Sequence, residues 1–159
     1  MFATLHANNA NQAIDRIIHF FEAKHSEQIL MDLSLNLRAI VAQQLITTPD
    51  GKGRRAAIEI LLNSQLIGDY IRKGEIHEIK PVMKRSRELG MQTFDQALFD
   101  LYENGDITYR DAIQHADSPN DLRLLIKLES KSANKIDENE LNFSLQSDDN
   151  NAANENAMF

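Results

Sequence analysis

Five residues, Pro49-Asp50-Gly51-Lys52-Gly53, separate two apolar runs, Leu45-Ile46-Thr47-Thr48 and Arg54-Arg55-Ala56-Ala57-Ile58-Glu59-Ile60-Leu61-Leu62. Proline and glycine supply the dihedrals of a tight chain reversal, and the flanking runs break with helical spacing, so this stretch predicts a β-hairpin. It constrains the fold because the apolar pattern on both sides of it is helical. The chain must therefore join many helices to a small amount of sheet, an α/β architecture.

Upstream of the hairpin, Ala10, Ala13, Ile14, Ile17, Ile18 and Phe21 follow the i, i+3, i+4, i+7 rule, and Asn8 or Asn9 is placed to cap the start of that helix. A second helix is predicted from near Ser26, carrying Leu30, Leu33, Leu37, Ile40 and Val41, ending around Gln43 and Gln44, and packing on the first. Ahead of both, residues 1–5 (MFATL) form a β-capable run that ends at the polar cluster His6-Ala7-Asn8-Asn9.

Downstream, Gly74, Gly90 and Gly105 each close a helical stretch where a left-handed cap calls for glycine. Starts are marked by Thr93 with Gln96, by Thr108 with Asp111, and by Ser118-Pro119 with Asp121. These signals predict about five short helices over residues 64–128. Pro81 interrupts the helical stretch 75–89, and a break near Lys80 is expected. From Glu129 to Phe159 aliphatic periodicity gives way to Asn, Ser, Asp and Glu, a composition that predicts a disordered tail.

Of the formal charge of −7, the stretch after Leu128 carries −5, from seven acidic residues and two lysines, so the first 128 residues carry −2. Neither part has the basic excess of a nucleic-acid binder, and no nucleic-acid partner is expected. With no Cys there is no disulfide, thiolate nucleophile or Cys-based zinc site. No apolar run reaches the roughly 18–20 residues of a membrane span, and a cytoplasmic location is expected.

Few residues could carry chemistry. The one Gly-Lys pair, Gly51-Lys52, lies in the hairpin loop without a following helix to present N–H groups to a phosphate. The five histidines lack metal-binding spacing, and no metal site is expected; His77 and His115 read as helix-surface residues. His6 differs, standing between a predicted strand and a helix N-terminus, where ligands sit in open α/β sheets, although an ordinary loop histidine would look the same. Arg16 and Arg38 lie within predicted helices and could pair with Asp15 or Asp32 or reach a phosphate. The short basic groups Lys52/Arg54/Arg55 and Lys80/Lys84/Arg85/Arg87 suit solvated faces or contacts with an acidic neighbour.

The run Phe2-Ala3-Thr4-Leu5-His6-Ala7-Asn8-Asn9-Ala10, with Ala13-Ile14-Asp15-Arg16-Ile17, resembles the His box and following helix of the secretion-type ATPases that power type IV pili. The likeness continues through residues 31–40, 51–61 and 86–98, covers residues 2–128 almost without gaps, and is greatest with the pilus-retraction PilT/PilU family, on the PilU side. In the PilT branch a motif A-I-R-N-L-I-R-E precedes the position of Gly74. Here Leu66-Ile67-Gly68-Asp69-Tyr70-Ile71-Arg72-Lys73 stands there, agreeing only at Ile67, Ile71 and Arg72.

The resemblance implies the C-terminal fragment of a RecA-like P-loop NTPase core over residues 1–62, an all-α C-terminal helical domain over 63–128, and the acidic tail over 129–159. It implies a hexameric, ATP-driven motor that retracts type IV pili in twitching motility, using ATP and Mg²⁺ in the intact member. Its partners would be homologous retraction ATPase subunits and the pilus inner-membrane platform protein, placing it at the inner membrane's cytoplasmic side. His6 would be the His-box residue near the γ-phosphate, with Thr4 and Arg16 as nucleotide-binding candidates. The family's phosphate loop, Asp box and Walker B glutamate all precede the His box, so this chain is expected to hold no nucleotide and to be inactive alone. Met1 stands where the family usually carries Val, as an internal start would produce. The alternative is a non-enzymatic truncated subunit or interaction module that binds or regulates a full-length motor.

Overall fold

The computed structural model describes residues 2–130. Chain contacts divide it after Arg123 into two units. The first holds a two-stranded antiparallel sheet and the helices around it; of the second, the described part is the end of the last helix and Ser130.

Helix α1 (Ala10–His19) starts where the polar cluster predicts, with Asn9 in extended conformation and its side-chain oxygen accepting the Gln12 N–H. Its apolar stripe buries Ala10, Ala13 and Ile14. A 3-10 turn leads to α2 (Ser26–Asn36), which is shorter than its apolar pattern suggested. Residues Ile40 and Val41, expected to extend α2, belong instead to β1 (Ala39–Thr47). The reason lies across the hairpin, where the Asn63 amide donates to the carbonyls of Ser34 (3.0 Å) and Leu37 (2.9 Å). Those bonds satisfy end-of-helix acceptors and release the β-branched residues to pair with a strand.

That strand is β2 (Arg54–Leu62), paired with β1 from Ala39↔Leu62 to Thr47↔Arg54. The loop between them turns at Gly51, whose φ of +69° lies in the left-handed region. Alternation along β2 sends Ala57, Glu59 and Leu61 inward, all fully buried. On the other face Val41 and Leu45 are 66% and 52% exposed.

The predicted count of helices after the hairpin holds: α3 (Gln65–Lys73), α4 (Ile79–Arg85), α5 (Phe94–Glu103), α6 (Tyr109–His115) and α7 (Pro119–Glu129). Gly74, Gly90 and Gly105 all take positive φ, and Thr93 with Gln96 forms a complete capping box. Pro81 sits in the first turn of α4, where a missing N–H costs no helical bond, and the break precedes it at a 3-10 turn over Ile76–Glu78. Ala10, Ile14, Leu61, Ile67, Ile71, Ile79 and Met83 form the central cluster of the core. Each large aliphatic in it contributes about 1.5–3 kcal/mol by leaving water.

One element is corrected outright. Residues 2–7 carry no strand, because a strand needs a neighbour for its backbone groups and no described strand lies beside this segment. The tail expected to be disordered lies outside the described residues from Lys131 on, while Glu129 closes α7. No described helix is long and apolar enough to cross a membrane.

Candidate functional site

His6 lies exposed in the irregular segment before α1, with Thr4 exposed beside it; Arg16 is exposed on α1, outside the buried stripe. No hydrogen bond or ion pair of their side chains joins the three among the described residues. His77 is exposed in a 3-10 turn and His115 is half-buried at the end of α6. Arg38 is not helical; it links α2 to β1.

What the structure builds around the start of α1 is a buried carboxylate. Glu59, at the middle of β2, is 0% exposed. Its Oε1 accepts the N–H of Ala10, first residue of α1, at 2.7 Å, and its Oε2 accepts the N–H of Phe94, first residue of α5, at 3.3 Å. Both helix N-termini thus direct unpaired N–H groups and their positive dipole ends at one carboxylate. The Lys80 Nζ, on α4, closes the charge balance 3.0 Å from Oε2.

Lys80 also pairs with the Asp117 carboxylate, which accepts the Asn9 side-chain N–H at 3.3 Å. Behind it, buried Asp95 accepts the backbone N–H groups of Asp117 (2.8 Å) and Ser118 (3.4 Å). Burial raises the Asp95 pKa above 3.8, opposed by the Ser118 hydrogen bond and by Lys80 and Lys84. The Lys84 hydrogen bond lowers that of Asp121.

These groups border an open depression of about 470 Å³. It does not suit an anion: Lys80 is committed to Glu59 and Asp117, and Lys84 to Asp121 at 2.6 Å. Other members of the two basic groups are also engaged within the chain, Arg55 with Asp106 at 2.7 Å and Arg87 with Asp100.

Sequence reasoning missed Glu59, reading it as one residue of a strand. Its signal was a lone acid between Ile58 and Ile60, on the face shared with Ala57 and Leu61.

No protein-family model matches the chain. Individual proteins do: it is 72% identical over 130 residues to the type IV pilus ATPase PilU of Pseudomonas aeruginosa, covering 82% of this chain and 34% of that protein. The chain belongs to the PilT/PilU family. It is also 33% identical over 119 residues to the pilus retraction ATPase PilT of the same organism, covering 75% of this chain and 34% of PilT. A crystal structure of the pilus retraction motor PilT with bound ADP superimposes with a TM-score of 0.67 at 32% identity, over 76% of this chain and 33% of that one. The chain thus spans about a third of the length of the PilT/PilU-family relatives it matches, with the α/β fold of their ATPase C-terminal region.

A family nucleotide does not fit the described residues by themselves. In the Gly-Lys loop every N–H from Gly51 to Gly53 is already used, by the Thr48 carbonyl, the Asp50 carboxylate and the Thr48 hydroxyl. Thr4, His6 and Arg16 offer separate exposed groups without a backbone cradle between them. Among the described residues no group of three or more His, Cys, Asp or Glu could hold a metal ion.

Proposed function

We propose that this chain is part of a hexameric ATP-driven motor that retracts type IV pili, and that it contributes the His-box segment and C-terminal helical region to that motor. The 72% identity to PilU carries this reading. Residues 1–62 would be the end of the nucleotide core and residues 63–128 the helical domain, followed by the tail over 129–159. His6 would face the γ-phosphate of ATP, with Thr4 and Arg16 near the nucleotide, and Mg²⁺ would be held in the intact family member and not by this chain alone. Phosphoryl transfer depends on a phosphate-binding loop, a metal and a water-orienting carboxylate acting together, so the chain alone would not hydrolyse ATP. Its partners would be homologous retraction ATPase subunits and the inner-membrane platform of the pilus, on the cytoplasmic side.

The test is nucleotide binding and hydrolysis by the purified chain, alone and mixed with full-length PilU, with His6→Ala as control. Altered hydrolysis only in the mixture, abolished by His6→Ala, supports the reading. Mg²⁺-dependent hydrolysis by the chain alone overturns the claim that it is inactive without partners.

A non-enzymatic reading is favoured by the exposed apolar side chains Val41 and Leu45 on the outer face of the hairpin and Leu35 on α2. In it, the chain docks on a full-length motor through that face and regulates it. Co-purification with full-length PilU, together with unchanged hydrolysis in the His6→Ala mixture, would select this reading over the first.

A further inference from the structure

We infer that Glu59 and Lys80 position the His6 segment, tying its orientation to the helices that come after the hairpin. The inference rests on the reading of His6 as a nucleotide-facing residue, but the tie itself is a matter of geometry.

The segment of residues 4–9 has no sheet to hold it, and its junction with α1 is held by Ala10 and Asn9, beside an Asn11 side chain that donates to the Ile76 carbonyl at 3.0 Å. Ala10 N–H is bonded at 2.7 Å to a carboxylate on β2, and the Asn9 side chain is bonded at 3.3 Å to Asp117, between α6 and α7. Lys80 joins those two carboxylates, Glu59 and Asp117, so the anchors form one charge-linked unit instead of two independent contacts. The second oxygen of Glu59 carries the link on to α5 through Phe94. No acidic residue lies in the first turn of α1, and Glu59 supplies from another element the negative charge that the helix start favours.

A shift of α4 that moves Lys80, or of the loop that carries Asp117, must therefore either break a charge-assisted bond or move the start of α1. His6 lies four residues before Ala10, so such a shift reaches it without any direct contact. In this scheme Glu59 and Lys80 are positioning residues.

The experiment is NMR on the full chain, reading amide exchange at Ala10 and Phe94 and the His6 ring resonances. In Lys80→Met, Ala10 and Phe94 should exchange together about tenfold faster, the scale of losing one charge-assisted bond, and the His6 resonances should shift. Exchange at Ile67 and Ile71, fully buried in the core, should accelerate no more than the loss of stability seen in urea unfolding requires. Lys80→Arg, which keeps a cation able to meet both carboxylates, should restore both readouts. Glu59→Gln gives a second route, since it removes the charge and leaves Lys80 in place.

Ala10 or Phe94 amides that keep the parent's exchange rate would overturn the inference, as would unmoved His6 resonances in folded Lys80→Met. The same spectra with Mg-ATP and full-length PilU separate the two layers. His6 resonances that ignore nucleotide there would refute the nucleotide-facing reading while the nucleotide-free tie is read independently.

Discussion

Lys80 Nζ lies 3.0 Å from Oε2 of a glutamate, Glu59, that is wholly shielded from water. Removing one member of a buried pair strands the other, at about 3–5 kcal/mol when both are fully enclosed. The Lys80 side chain keeps 21% of its exposure, so water can partly replace it, and Lys80→Met is expected to cost about 2 kcal/mol. By comparison, Arg72→Ala removes a pair with Asp69 whose side chains are 51% and 45% exposed, and should cost less than about 0.5 kcal/mol. Urea unfolding of both variants checks the contrast, and equal costs would contradict the buried role of Glu59.

Asp95 sets a pH dependence of definite sign. Burial raises its folded pKa above 3.8, so the folded state binds this proton more tightly than the unfolded chain does. The associated stability is fully present below 3.8 and is lost as pH rises through the raised folded value. Asp95→Asn, which cannot ionise, should therefore gain on the parent protein as pH rises across that window. Asp121, lowered by its Lys84 hydrogen bond, has the opposite sign: its contribution is present above 3.8 and lost as pH falls. Unfolding midpoints of Asp95→Asn and Asp121→Asn across a pH series should diverge in opposite directions from the parent.

Gly68, inside α3, should resist replacement although alanine favours helix by about 1 kcal/mol. A Cβ there would stand 3.1 Å from the Ser34 carbonyl oxygen, backbone that Asn63 already holds. Gly68→Ala is expected to lower the thermal midpoint despite the propensity gain. A raised midpoint would mean that α2 and α3 separate easily.

Thr93 offers a cleaner local case. Its hydroxyl accepts the Gln96 N–H while the Gln96 side chain accepts the Thr93 N–H, at the start of α5. Thr93→Ala should cost about 1 kcal/mol in chemical unfolding. Thr93→Ser, keeping the oxygen, should recover most of it.

The exposed face of β1 is the place where folding and association can be told apart. Val41→Thr with Leu45→Thr places β-branched side chains at both positions, and the folded chain should lose no more than about 0.5 kcal/mol per site. If that face meets a full-length retraction ATPase, capture by PilU should fall sharply in the same variant, measured by pull-down of the tagged chain.

Helix starts and stops were legible because caps are local: Thr93, Gly74 and Gly105 act through neighbours within a few residues. The hairpin was legible from its turn residues. The end of α2 was not, since Ile40 and Val41 satisfy a helical period as well as a strand, and the deciding Asn63 lies 29 residues after the Ser34 carbonyl it holds. Residues 1–5 showed strand composition, but composition does not provide the neighbour that a strand requires. Glu59 escaped notice because its role depends on Ala10, Lys80 and Phe94, residues brought together only by the fold. Thr4 was singled out by resemblance alone, whereas His6 and Arg16 also drew positional readings that an ordinary exposed residue would share, and all three are exposed.

The anchoring of α1 also bears on the order in which the chain acquires structure. The carboxylate that receives Ala10 lies 49 residues later, and the one that receives the Asn9 side chain 108 residues later. Contacts so distant in sequence form late, after helices closed by nearby caps. During synthesis α1 therefore leaves the ribosome well before either anchor exists, and its apolar stripe must wait at least for Leu61, Ile67 and Ile71 of the same core cluster to emerge.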